Sequence, residues 1–146
     1  MRLSDPAASH ALGAALARVV RPGDIIALSG PLGAGKTSIA RGMLAALGLA
    51  GEAPSPSFAI VQPYAPPEVA MPVLHVDLYR IESPVELEEL GLDDARADSV
   101  LIVEWPEHAG AGAFADALWL TLEADGDGRA LTAQVPAAWK DRWPPI

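Results

Sequence analysis

The eight residues Gly30-Pro31-Leu32-Gly33-Ala34-Gly35-Lys36-Thr37 follow directly on the apolar run Asp24 to Ser29, DIIALS. They match GxxxxGK[ST], the pattern of a loop that cradles phosphate. The pattern has a mechanical basis. Glycines at 30, 33 and 35 let the backbone curl so that successive N–H groups point inward at phosphate oxygens. A helix beginning near Lys36 adds the positive end of its dipole. Lys36 would then reach the β- and γ-phosphates from an otherwise solvent-facing site, and the Thr37 hydroxyl would ligate Mg²⁺. Gly30, Leu32, Gly33, Ala34, Gly35, Lys36, Thr37 and Ser38 form the expected nucleotide-binding set. Such a loop works only between a strand and a helix, and both are expected here. Residues 24–29 read as a short buried strand. Residues 36–47 read as a helix with Ile39, Met43, Leu44 and Leu47 on one side and Gly48 at its end.

The rest of the chain fits an α/β domain. Asp5-Pro6 reads as a cap followed by proline at the first helical position, opening an amphipathic helix over 6–20 on Leu12, Leu16, Val19 and Val20. Residues 21–24 form a turn. After Pro54-Ser55-Pro56-Ser57 comes FAIVQPY, of strand-like composition, and then a break at Pro66-Pro67. Val73 to Tyr79 reads as a further strand. Ser83-Pro84-Val85-Glu86 is a capping box opening a short acidic helix that ends near Gly91. Ser99 to Trp105, SVLIVEW, is a strongly apolar strand ending in an acid. ALWLTLEA and RALTAQV flank Asp125-Gly126-Asp127-Gly128, a hairpin signal. No repeat and no long linker interrupts the 146 residues. The expectation is one P-loop NTPase-like domain over 1–146. Its central sheet should be mixed because of the C-terminal hairpin and flanked by helices. The tail 135–146, with Trp139 and Trp143, should pack back on the domain.

A phosphate loop needs an acid on a neighbouring strand to hold the metal and its water shell. Two carboxylates end apolar runs. Glu104 follows four consecutive apolar residues, the better match to a buried strand whose tip emerges beside the loop, and is expected to be metal-associated. Asp77 would orient water or a magnesium-bound water; the plainer reading is a surface carboxylate paired with Arg80. His75, two residues before Asp77, shares its strand face and reads as a packed core histidine.

Charge narrows the partners. Residues 1–50 carry five basic groups against two acidic ones, whereas residues 51–146 carry five against seventeen, a net of −12. Direct, salt-sensitive nucleic-acid binding needs clustered Lys and Arg, which this acidic stretch lacks. The absence of cysteine removes disulfide and thiolate chemistry. No run of about 18 apolar residues occurs, and MRLSDPAASH has no signal-like apolar core. A soluble, cytoplasmic protein with no membrane partner is expected.

Four motifs stand together in this order: GPLGAGKT, SPSF at Ser55 to Phe58, HVDLYR at His75 to Arg80, and EWPE at Glu104 to Glu107. With Leu12-Gly13, Pro22 to Asp24 and ELGLDD at Glu89 to Asp94, the chain resembles the TsaE (YjeE) family over about residues 5–130. The resemblance implies the ATPase component of bacterial N6-threonylcarbamoyladenosine (t6A) tRNA modification. Such a protein binds ATP/ADP and Mg²⁺ and works with the TsaB and TsaD proteins. TsaD performs the transfer to adenosine 37 of tRNA, and ATP hydrolysis supports repeated turnover. By motif matching, Leu32 to Thr37 bind the phosphates, Thr37 and Glu104 hold Mg²⁺, and Asp77 is required for hydrolysis. The same matching places Arg129 near the nucleotide, and Trp105 on a tryptophan that either packs at a strand end or touches nucleotide or partner. The catalytic set so implied is Lys36, Asp77 and Glu104. Two positions depart from the family: Ser57 stands where threonine is usual, and Pro31 where an acid is common.

Two other classes share the loop. A small-molecule P-loop kinase would need a substrate pocket and usually an arginine-bearing lid. None of Arg41, Arg80, Arg96, Arg129 and Arg142 lies in an obvious glycine-flanked lid. A nucleotide-gated binding module would bind without useful turnover. Phosphate release measured with and without partners separates the three.

Overall fold

A computed structural model describes residues 1–51, 53–54, 56, 60–110 and 112–145. Its strands are β1 (Arg2–Leu3), β2 (Ile25–Ser29), β3 (Val61–Tyr64), β4 (Val73–Asp77), β5 (Val100–Glu104), β6 (Leu118–Asp125) and β7 (Gly128–Gln134). They make one sheet in the order β1-β7-β6-β2-β5-β4-β3. The central pairs β2/β5, β2/β6 and β4/β5 are parallel, and β1/β7, β6/β7 and β3/β4 are antiparallel. The sheet is therefore mixed, as the hairpin signal implied. β2 and β5 are almost continuously apolar because they are buried on both faces.

One face, through Ile26, Leu28, Ile102 and Leu120, packs on α1 (Pro6–Ala17) and α2 (Lys36–Ala46). The other face, through Ala27, Val76, Leu101 and Val103, is covered by Leu78, Ile81, Leu92 and Phe114. On that side α3 (Pro84–Glu89) buries no residue, and α4 (Leu92–Ala95) buries Leu92. α1 and α2 lie so close that a Cβ on Gly13 would run into the Ile39 carbonyl oxygen, and one on Gly42 into that of His10. The Asp5 side chain caps α1 by accepting from the Ala8 N–H at 2.8 Å, and Ser83 caps α3 by accepting from the Glu86 N–H at 3.3 Å.

Several boundaries differ from expectation. α1 stops at Ala17, and the N–H groups of Val19 and Val20 both turn back to the Leu16 carbonyl. The strand expected over 73–79 ends at Asp77, because the Ile81 N–H bonds the Leu78 carbonyl in a turn. β1 is two residues long, too short for any periodic signal. Ser55, Ser57, Phe58 and Ala59, which carry the SPSF motif and the start of the FAIVQPY stretch, lie outside the described residues. In the tail, a 3-10 turn at Ala137–Trp139 places the Trp139 ring in the α1/α2 core, 1% exposed. Among the described residues, no helix is long and apolar enough to cross a membrane.

Candidate functional site

Parallel pairing brings the carboxyl ends of β2, β5 and β4 to one edge of the sheet. The register sets Leu28 opposite Glu104 and Glu104 opposite Asp77. The glycine loop leaves β2 at this edge. Gly30 has φ +143°, and a Cβ there would meet the Leu122 carbonyl oxygen at 2.6 Å, so no other residue fits against β6. Gly35, at φ +102°, turns the chain into α2. Residues 32–38 with Asp77, Glu104 and Trp105 line a cleft of about 250 Å³. Lys36, Thr37, Asp77 and Glu104, singled out from the sequence, are thus neighbours here.

Lys36 departs from expectation. It is 4% exposed rather than solvent-facing. Its ammonium donates to the Gly30 carbonyl at 2.5 Å and sits 3.6 Å above the Trp105 ring centroid. Burial holds its pKa below the usual lysine value, against the pull of the Glu104, Glu107 and Asp77 carboxylates. Neither a carbonyl nor a ring face matches a phosphate as a partner for this charge. Trp105 fits the reading of a tryptophan packed at a strand end. It is partly buried and also faces the cleft, at φ +58°, a conformation unusual for a bulky residue. Its ring packs against Tyr79 and His108, at centroid distances of 4.9 and 5.5 Å.

Glu104 is 3% exposed, and each of its oxygens has a hydrogen-bond partner. The Thr37 hydroxyl donates to Oε1 at 3.1 Å, and His75 Nε2 lies 2.6 Å from Oε2. His75 is buried, as a packed core histidine would be, but its contact with Glu104 was not foreseen. Asp77 is 7% exposed, so it is not the surface carboxylate of the plainer reading. Its Oδ1 accepts from the Tyr79 N–H at 2.9 Å.

Arg129 approaches the loop from β7, its Nη2 donating to the Gly33 carbonyl at 2.9 Å. It borders a second cleft of about 210 Å³, together with Asp5, Ser9, residues 33–35 and Ser38. Asp5 and Ser9 belong to the start of α1 and carry no sequence signal for the site. Glu107 was missed as well; its Oε2 accepts from the Ser29 hydroxyl at 2.5 Å, just ahead of the loop. A larger groove of about 530 Å³ elsewhere is rimmed by Glu88, Asp93 and Asp94, which would repel a phosphate.

The donor set suits Mg²⁺. Thr37 and Glu104 offer hard oxygens 3.1 Å apart. Among the described residues no group of three or more His, Cys, Asp or Glu side chains could cage a metal. Mg²⁺ is usually held by one or two protein oxygens plus phosphate and water, so this sparse set is the appropriate kind.

The chain is 44% identical over 97 residues to the tRNA threonylcarbamoyladenosine biosynthesis protein TsaE of Streptomyces coelicolor, covering 66% of each chain. It is 37% identical over 105 residues to the protein of the same name from Bacillus subtilis, covering 71% of this chain and 64% of that one. The chain thus spans just under two thirds of the length of these relatives. A crystal structure of Bacillus subtilis YdiB superposes with a TM-score of 0.79 at 27% identity, over 97% of this chain and 87% of the other. The family model for the threonylcarbamoyl adenosine biosynthesis protein TsaE matches residues 3–131, and the chain belongs to the TsaE family.

Proposed function

We propose that the chain binds ATP on the 30–38 loop with Mg²⁺ and hydrolyses it, supporting threonylcarbamoyl transfer to adenosine 37 of tRNA by a TsaB–TsaD complex. The observation that carries this reading is the Thr37–Glu104 contact at the mouth of the glycine loop. It sets a hydroxyl and a carboxylate side by side where the β- and γ-phosphate oxygens would arrive. Lys36 exchanges its carbonyl and ring contacts for phosphate oxygens. Thr37 and Glu104 hold the metal, which when bound neutralises charge developing on the phosphates. Asp77, on the strand next to Glu104, positions the attacking water, and Arg129 steadies the Gly33 end of the loop.

Hydrolysis by the isolated chain should be slow. The outer wall of the loop is open, with Leu32 74% exposed. In-line attack needs a fixed water and exclusion of the bulk, and a partner surface would supply both. The acidic 51–146 stretch makes tRNA a poor direct ligand, so coupling to RNA runs through the protein partner, in the cytoplasm. The test is the ATPase rate with Mg²⁺ for the chain alone, with tRNA alone, and with TsaB–TsaD. Acceleration by the complex supports the reading. Stimulation by bare tRNA, or full speed alone, would overturn it.

A further inference from the structure

Building on the assignment of Glu104 to the metal, we propose that His75 is a positioning residue that holds the Glu104 carboxylate in its metal-binding orientation. His75 is 0% exposed, on the face of β4 that also carries the core residue Val73. Among the described residues its Nδ1 is buried without a hydrogen-bond partner. A buried polar atom left unsatisfied costs stability. Stability alone therefore does not account for a histidine here, whereas its other nitrogen does.

That nitrogen, Nε2, lies 2.6 Å from Glu104 Oε2. A carboxylate oxygen accepts, so the shared proton is assigned to Nε2. The contact follows from the sheet. Parallel register sets His75 opposite Ile102 and Asp77 opposite Glu104, so His75 reaches Glu104 diagonally across one sheet face. The other donor to Glu104 is the Thr37 hydroxyl, at 3.1 Å. Thr37 is itself assigned to the metal, so its hydroxyl cannot be relied on to orient the carboxylate once the site fills. Among the described residues His75 makes no other side-chain hydrogen bond, and its bond to Glu104 is the shorter. Hydrogen bonds that orient a ligating carboxylate matter to the metal, and their loss typically lowers affinity 10- to 100-fold.

The experiment titrates Mn²⁺ into the full chain with a non-hydrolysable ATP analogue, following free Mn²⁺ by electron paramagnetic resonance. Analogue affinity in EDTA serves as the control for an intact loop. The variants are His75→Leu, His75→Asn, His75→Gln and Glu104→Gln. Glutamine extends its amide to about the reach of Nε2, and asparagine stops short. His75→Leu and His75→Asn should weaken Mn²⁺ about 10- to 100-fold with unchanged affinity in EDTA, and His75→Gln should stay near wild type. Equal loss in all three, or parallel loss of affinity in EDTA, would mean that shape rather than the hydrogen bond matters and would overturn the inference. Wild-type Mn²⁺ affinity in His75→Leu and His75→Asn, alongside loss in Glu104→Gln, would overturn it while leaving the metal assignment standing. Wild-type affinity in Glu104→Gln would overturn both.

Discussion

Replacing Trp139 by alanine should remove about 3–5 kcal/mol of folding free energy, the usual cost of emptying a buried tryptophan site. The ring is 1% exposed within the core shared by α1 and α2. The Arg142 guanidinium lies 3.9 Å from its centroid, a contact worth about 1–2 kcal/mol when partly shielded from water. Arg142 in turn grips Asp24 with two nitrogens, at 2.6 and 3.1 Å, and donates to the Val19 carbonyl at 2.9 Å. Asp24 immediately precedes β2, the strand that delivers the glycine loop, so the tail braces the base of the loop's own strand. Arg142→Ala should cost about 2–4 kcal/mol, because it strips a mostly buried carboxylate of its cation. The two changes share one contact, so the double mutant should fall short of their sum by about 1–2 kcal/mol. For a chain of this size Trp139→Ala corresponds to a fall in Tm of roughly 10–15 °C. Urea unfolding followed by far-UV circular dichroism measures all three. A loss below about 1 kcal/mol for Trp139→Ala would refute the tail as part of the core, and additivity within about 0.5 kcal/mol would refute the Arg142–Trp139 contact.

Lys36→Ala should abolish ATP binding or hydrolysis while leaving the circular dichroism spectrum and cooperative unfolding intact; wild-type affinity and turnover would remove the loop as the nucleotide site. Glu104→Gln should lose metal-dependent ATP affinity, whereas Asp77→Asn should keep binding and lose hydrolysis. Mg²⁺ titrations of ATP binding in both variants check this, and the opposite pattern would exchange the two roles. Arg129→Ala releases the Gly33 carbonyl and should weaken ATP by a few-fold, on the order of one hydrogen bond, with an unchanged Mg²⁺ requirement by calorimetry.

What was legible in the sequence was what local chain physics decides. The loop's glycines, the apolar run before it and the helical spacing after it lie within 25 residues, and all are found as expected. The contacts that escaped join residues far apart. His75 meets Glu104 across 29 positions, and Arg142 meets Asp24 across 118. The period of two put His75 and Asp77 on one strand face, but no period says what that face will meet. Lys36 escaped for a similar reason. A lysine in a phosphate loop is expected to point at open solvent until the Trp105 ring, held against Tyr79 and His108, closes over it.

Choosing Glu104 over Asp77 as the acid beside the loop nevertheless carried a statement about topology. An acid can flank a loop leaving β2 most directly if its own strand pairs with β2. The more continuously apolar run had to be the inner strand, because only a strand covered on both faces and both edges gains from being apolar throughout. β5 does lie between β2 and β4, with Leu28 opposite Glu104 and Glu104 opposite Asp77. Hydrophobic patterning thus ranks strands from the centre of a sheet outward. In a sheet whose site gathers at the carboxyl ends of its central strands, that ranking also orders the carboxylates by distance from the phosphate loop.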